Sequence, residues 1–189
     1  MMKLDAFLVY INMTNIKTWI VLAVEGDGSY AGNDGYEDVV ESNYRWDSNV
    51  PNFRAISEGD ALLVWNKKEL LGVSVVRDLF EKNSRKARHR CPFCNSSKIK
   101  MRATKAPLFR CGATGCNSTF ESAQTEWIDV IEYVANYAGT WIPMRNTLDA
   151  PGCRKLSSTP KSQLSIRPGD TALISQFLQN QVNIQNRIQ

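Results

Sequence analysis

Two close cysteine pairs constrain this chain more than any other feature. Cys91-Pro-Phe-Cys94 is followed, after sixteen residues, by Cys111-Gly-Ala-Thr-Gly-Cys116. Each pair fits a tight turn, and two such turns joined by a short hairpin bring four thiolates to one tetrahedral metal. A redox Cys-x-x-Cys or two disulfides would not account for two pairs at metal-ligand spacing. The spacing is that of a zinc ribbon, with one structural Zn²⁺ per chain on Cys91, Cys94, Cys111 and Cys116. Four protein ligands leave no open position for water or substrate, so the metal is expected to hold structure and not to catalyse. Metal-binding thiolates suit a reducing compartment, which sets a cytoplasmic expectation. The fifth cysteine, Cys153, reads as a small buried hydrophobe.

Charge is concentrated on the same stretch. From Glu81 to Arg110 there are ten Lys or Arg residues and one acid, while the whole chain carries only +4. The remainder is therefore net negative. A clustered positive field favours polyanions, above all nucleic-acid phosphates. Lys98, Lys100, Arg102 and Lys105 are the candidate backbone contacts of the ribbon, and Lys161 and Arg167 are further candidates downstream. The competing reading is a solvated loop, since a small ribbon needs polar surface.

A length of 189 residues suits one ordinary core plus a small module. No apolar run approaches the roughly twenty residues of a membrane span. Residues 1–14 read as an N-terminal extension, with 1–12 dispensable because a further Met stands at position 13. Thr18–Val24 reads as a buried strand, and the Gly- and Asp-rich run 25–35 as a loop. That loop lacks the Lys-Ser/Thr ending of a phosphate-binding loop and the twelve-residue pattern of a calcium loop. Residues 41–52 read as an irregular aromatic segment and Ser57-Glu-Gly-Asp60 as a turn. Ala61–Trp65 and Leu70–Phe80 form a hairpin, and Glu126–Val134 is a strand returning to the same sheet. A helix starts near Pro168-Gly-Asp170, and a Gln- and Asn-rich tail follows Leu178. The expected fold is α+β: a small mixed barrel from residues 15–82 and 121–180, a ribbon inserted at 83–120, and a tail at 181–189.

Catalytic machinery is not evident. The one histidine, His89, lies beside the ribbon, poorly placed to serve as the base of a nucleophilic triad. Asp78, Glu81 and Lys82 make only a weak acid-x-Lys pattern.

Trp46-Asp-Ser-Asn-Val-Pro-Asn52, Glu58-Gly-Asp60, Val64-Trp65 and Gly72-Val-Ser-Val-Val76 resemble the EVE branch of the PUA-like barrels, which are related to YTH domains. This chain has Ser48-Asn49 where that family usually has one Gly. The runs 32–38 and 44–48, the ribbon and Pro160–Pro168 are similar to the N-terminal region of a bacterial family that continues into an HNH endonuclease. The resemblance implies a reader that takes a flipped modified base from duplex DNA and directs a fused restriction-type nuclease, absent from this sequence. It implies a pocket at Trp46, Asp47, Val50, Pro51, Asn52 and Trp65, with Tyr30 and Tyr36 as walls. A flipped base needs aromatic faces and edge hydrogen bonds to replace lost stacking. Trp46, in a polar segment, reads as a pocket residue, and Trp65 as pocket or core. The alternative is an RNA-binding PUA-like protein.

Overall fold

The computed structural model describes residues 2–13, 16–23, 36, 39–102 and 104–188. The architecture is α+β and mostly sheet, in two compact units. The larger comprises Met1–Glu25, Asp38–Lys82 and Glu132–Gln189; the smaller comprises Gly26–Glu37 and Asn83–Ile131. The smaller unit thus runs beyond the expected ribbon limit at 120.

The larger unit opens with helix α1, Leu4–Met13. Leu4, Phe7, Leu8 and Ile11 recur at helical spacing, and all four are buried. They join the main core, and α1 packs against the last helix, α3 (Thr171–Ile188). The expected extension is therefore a core element, because its apolar stripe has a partner. The expected fraying tail is likewise helical as far as Ile188: Val182 packs against the core below Ile174 and Leu178.

Beneath these helices lies a five-stranded sheet. It contains β1 (Thr18–Leu22), β3 (Ala61–Trp65), β4 (Leu70–Val75), β10 (Ile142–Pro143) and β11 (Ile166–Pro168), in the order β10-β4-β3-β1-β11. β1 and β3 are parallel, with Val21 opposite Val64, and the other neighbours are antiparallel. Ile20, Leu63, Trp65 and Val73 face the helices. The Ser57–Asp60 turn forms as expected, with Asp60 accepting from the Ser57 amide and from the Trp19 indole at 2.9 and 2.8 Å. Gly72 is required because a Cβ there would strike the Trp141 ring and the Ile142 carbonyl. Helix α2 (Ala150–Lys155), capped by Asp149, buries Cys153 in the core.

A second sheet has the order β2-β9-β5, from Asn43–Asp47, Gln124–Asn136 and Asp78–Arg90. Residues 43–47 are thus a regular strand, not an irregular segment. The expected strand Leu70–Phe80 is broken after Val75, so β4 and β5 belong to different sheets. Among the described residues the strands form separate sheets and no closed barrel, which corrects the barrel expectation. The third sheet is the ribbon: β6 (Ile99–Met101), β7 (Phe109–Cys111) and β8 (Thr119–Phe120), in chain order.

Candidate metal centre and nucleic-acid interface

The ribbon is too small to bury much apolar surface. Its core is Cys91, Ile99, Cys111 and Phe120, with Phe109 stacked on Phe120 at 5.9 Å. A domain this small needs a covalent or metal staple. The two cysteine turns supply the ligands for one. Asn95 and Asn117 take left-handed backbone (φ 59° and 49°) just after the second cysteine of each pair, turning the chain back around the sulfurs. The Cys91 amide donates to Ser96 O at 2.9 Å and the Cys116 amide to Ala113 O at 3.1 Å. The four Sγ atoms lie within 4.8 Å of one another, with Cys91–Cys116 at 3.8 Å and Cys94–Cys111 at 3.6 Å. Four sulfurs about 2.3 Å from a shared centre in a tetrahedron stand about 3.8 Å apart, so the donor set fits a tetrahedral thiolate-bound ion. All four are free of disulfides. The Ser118 side chain and amide hydrogen-bond to Cys116 and lower its pKa to about 6, whereas burial pushes the Cys111 thiol up and Cys94 is raised to about 12.

The outer face of the ribbon follows from strand alternation. Ile99, Cys111 and Phe120 point to the metal side, so Lys100, Arg110 and Thr119 fall on the opposite side. The register places Lys100 directly opposite Arg110, and Arg110 opposite Thr119. These residues, with Met101, Arg102, Lys105 and Asn117, line an open concavity of about 420 Å³. Lys98 is exposed on the same unit. Like charges facing each other across strands destabilise a sheet. No carboxylate pairs with Lys100 or Arg110 among the described residues. Earlier in the basic stretch the positive charge is partly neutralised, by Arg85–Asp129 at 3.5 Å and Arg90–Glu126 at 2.6 Å.

The other expected residues are scattered. Trp46 is 1% exposed in β2. Its ring stacks on Tyr44 at 5.4 Å and on Tyr133 at 5.5 Å, and its indole N–H donates to Phe53 O at 2.8 Å. Asp47 is buried and accepts from the Asn49 amide, closing a turn through Val50 and Pro51. Asn52, at φ 68°, is exposed on that turn and donates to Ile166 O. Trp65 is buried in the main core. Tyr36 belongs to the smaller unit, under the Lys86 ammonium at 4.4 Å, and Tyr30 lies outside the described residues. Within the larger unit, Trp46, Asp47 and Trp65 are thus buried, while Val50, Pro51 and Asn52 lie on the turn. Lys161 is exposed, but Arg167 is 1% exposed, so its expected role as a surface backbone contact is corrected by burial. Arg110 was not among the candidate contacts; alternation in a three-residue strand, anchored by Cys111, is the signal that finds it.

No helix among the described residues is long and apolar enough to cross a membrane. No family model, curated protein or solved structure matches this chain.

Proposed function

We propose that this chain is a nucleic-acid-binding protein whose four-cysteine unit is a structural zinc ribbon gripping the phosphate backbone. The observation that carries this reading is the Lys100–Arg110 cross-strand pair, set with Arg102 and Lys105 around one concavity. Uncompensated cations placed face to face cost stability when empty, and that cost is offset when a polyanion lies between them. Zinc is the metal because an all-thiolate tetrahedral set in a small hairpin unit is its structural site. The metal would lock the hairpin that presents the cations and would supply no reactive position.

Within this reading, duplex DNA carrying a modified base is the proposed partner. The support is the EVE-like run of motifs at 46–52, 58–60, 64–65 and 72–76 and its resemblance to readers fused to HNH endonucleases. Buried Trp46 offers no free face, so phosphate contacts and not Trp46 stacking would supply most of the affinity. The test is a competition measurement on the zinc-loaded chain with plain duplex, duplexes carrying methylated adenine, methylated cytosine or hydroxymethylated cytosine, and RNA. Preference for one modified duplex supports the reader. Equal binding to all duplexes leaves a backbone binder without a base reader, and tighter binding to RNA replaces the DNA reading. No binding to any of them overturns the proposal.

A further inference from the structure

Arg167 lies in β11 on the helix-facing side of the main sheet, opposite Ile20 of β1. It is among the largest fully buried side chains of the protein. Its Nε, Nη1 and Nη2 atoms all lack a hydrogen-bond partner, and so does the buried indole Nε1 of Trp65. A guanidinium carries five N–H donors and keeps its charge at any ordinary pH. Stripping it of water without a counter-charge carries a heavy penalty. The compensation in place is slight. Arg167 Cζ sits 4.8 Å from the centre of the Trp65 ring, which attracts the cation but offers no acceptor to in-plane N–H groups. A second cation, Arg154, lies over the same ring at 5.3 Å and adds repulsion. No carboxylate pairs with Arg167 among the described residues. The Cys153 thiol nearby is pushed up to about 12 by burial, so it stays neutral and is no counter-ion.

Buried donors without acceptors, with a second cation over the same ring, are a place where a bound anion would be stabilised. We propose that Arg167, Arg154 and the Trp65 indole N–H bind a phosphate monoester group, as inorganic phosphate or as the terminal phosphate of a nucleotide. Two guanidiniums match the near-dianionic charge of a monoester at neutral pH, where a carboxylate or an internal phosphodiester carries one charge. Arg forks and a single N–H donor also suit the three terminal oxygens of that group. A chain-internal phosphodiester is flanked on both sides, whereas a site with a buried cation at its base admits only a terminal group. Arg154, half-buried, marks the side open to solvent. Arg154, Arg167 and Trp65 all belong to the larger unit, and the ribbon cations to the smaller.

The experiment uses the zinc-loaded full chain at fixed ionic strength, titrated with sodium phosphate, adenosine 5′-monophosphate or adenosine, and followed by thermal unfolding and calorimetry. Phosphate and the monophosphate should raise the midpoint with saturation, and adenosine should not. A response to the monophosphate alone identifies the nucleotide as the source. Arg167→Met replaces the buried cation with an apolar chain of similar length. It should unfold at or above the wild-type midpoint in phosphate-free buffer and lose the response. Trp65→Phe, which keeps a ring face and removes the donor, should weaken phosphate binding about 10- to 150-fold, the range for a hydrogen bond to a charged group. No response of the wild type to phosphate or the monophosphate overturns the proposal, as does an undiminished response in Arg167→Met or Trp65→Phe.

Discussion

Trp46 and Trp65 carry the same indole into opposite situations. Trp46 has its N–H bonded to Phe53 O and its ring stacked on two tyrosines; Trp65 has an unbonded N–H and two guanidiniums over its ring. Satisfied and enclosed, Trp46 is a packing residue. Trp46→Ala should cost about 3–5 kcal/mol in denaturant unfolding, the range for deleting a buried aromatic. A variant of wild-type stability that has lost discrimination among duplexes would instead make Trp46 a ligand contact. The cysteines divide just as sharply. Ala at Cys91, Cys94, Cys111 or Cys116 should drop bound metal from one equivalent toward none by elemental analysis, since three thiolates and a mobile water hold the ion far less tightly. Cys153→Ala should leave the metal in place, because its sulfur is buried in a different core.

At the scale of elements, α1 carries a prediction that reverses its expected dispensability. Four side chains of one face enter the main core, so Phe7→Ala should destabilise the larger unit by about 3–5 kcal/mol. Circular dichroism through a thermal ramp checks this, and an unchanged midpoint would show that the helix packs without consequence. The spacing of Leu4, Phe7, Leu8 and Ile11 carries the signal for α1, but the contiguous apolar residues Phe7–Ile11 obscure its periodicity. Residues 43–47 are obscured for a related reason: Tyr44 and Trp46 alternate with Asn43, Arg45 and Asp47, but the Ser48-Asn49 that follows signals a turn, and the strand's outer face is polar. Strands β5 and β9 are legible only in part, because each is largely exposed along its first half and lacks apolar alternation there. The cysteine pairs were legible outright, since ligand spacing is a covalent property of the chain. The burial of Arg167 was not, because nothing local distinguishes a buried arginine from a surface one.

Across the whole molecule, the proposed function puts metal, hairpin and charge in series. The thiolate cluster fixes the ribbon strands, the strands set Lys100 opposite Arg110, and that row faces outward beside Arg102 and Lys105. The separation into sheets without barrel closure could not be read from strand content alone, since non-consecutive pairing such as β1 with β3 or β2 with β9 depends on tertiary packing. The charge segregation, in contrast, could be counted directly. Its consequence is measurable as counter-ion release. The most direct test is duplex-DNA affinity by fluorescence anisotropy from about 50 to 200 mM salt, comparing wild type with Lys100→Gln/Arg110→Gln at equal zinc content. Each lost phosphate contact should reduce the slope of log affinity against log salt by about 0.9, so the double variant should be shallower by nearly 2 and weaker at low salt. A variant with the wild-type slope and affinity would contradict the account, because the ribbon's outward cations would then play no part in binding nucleic acid.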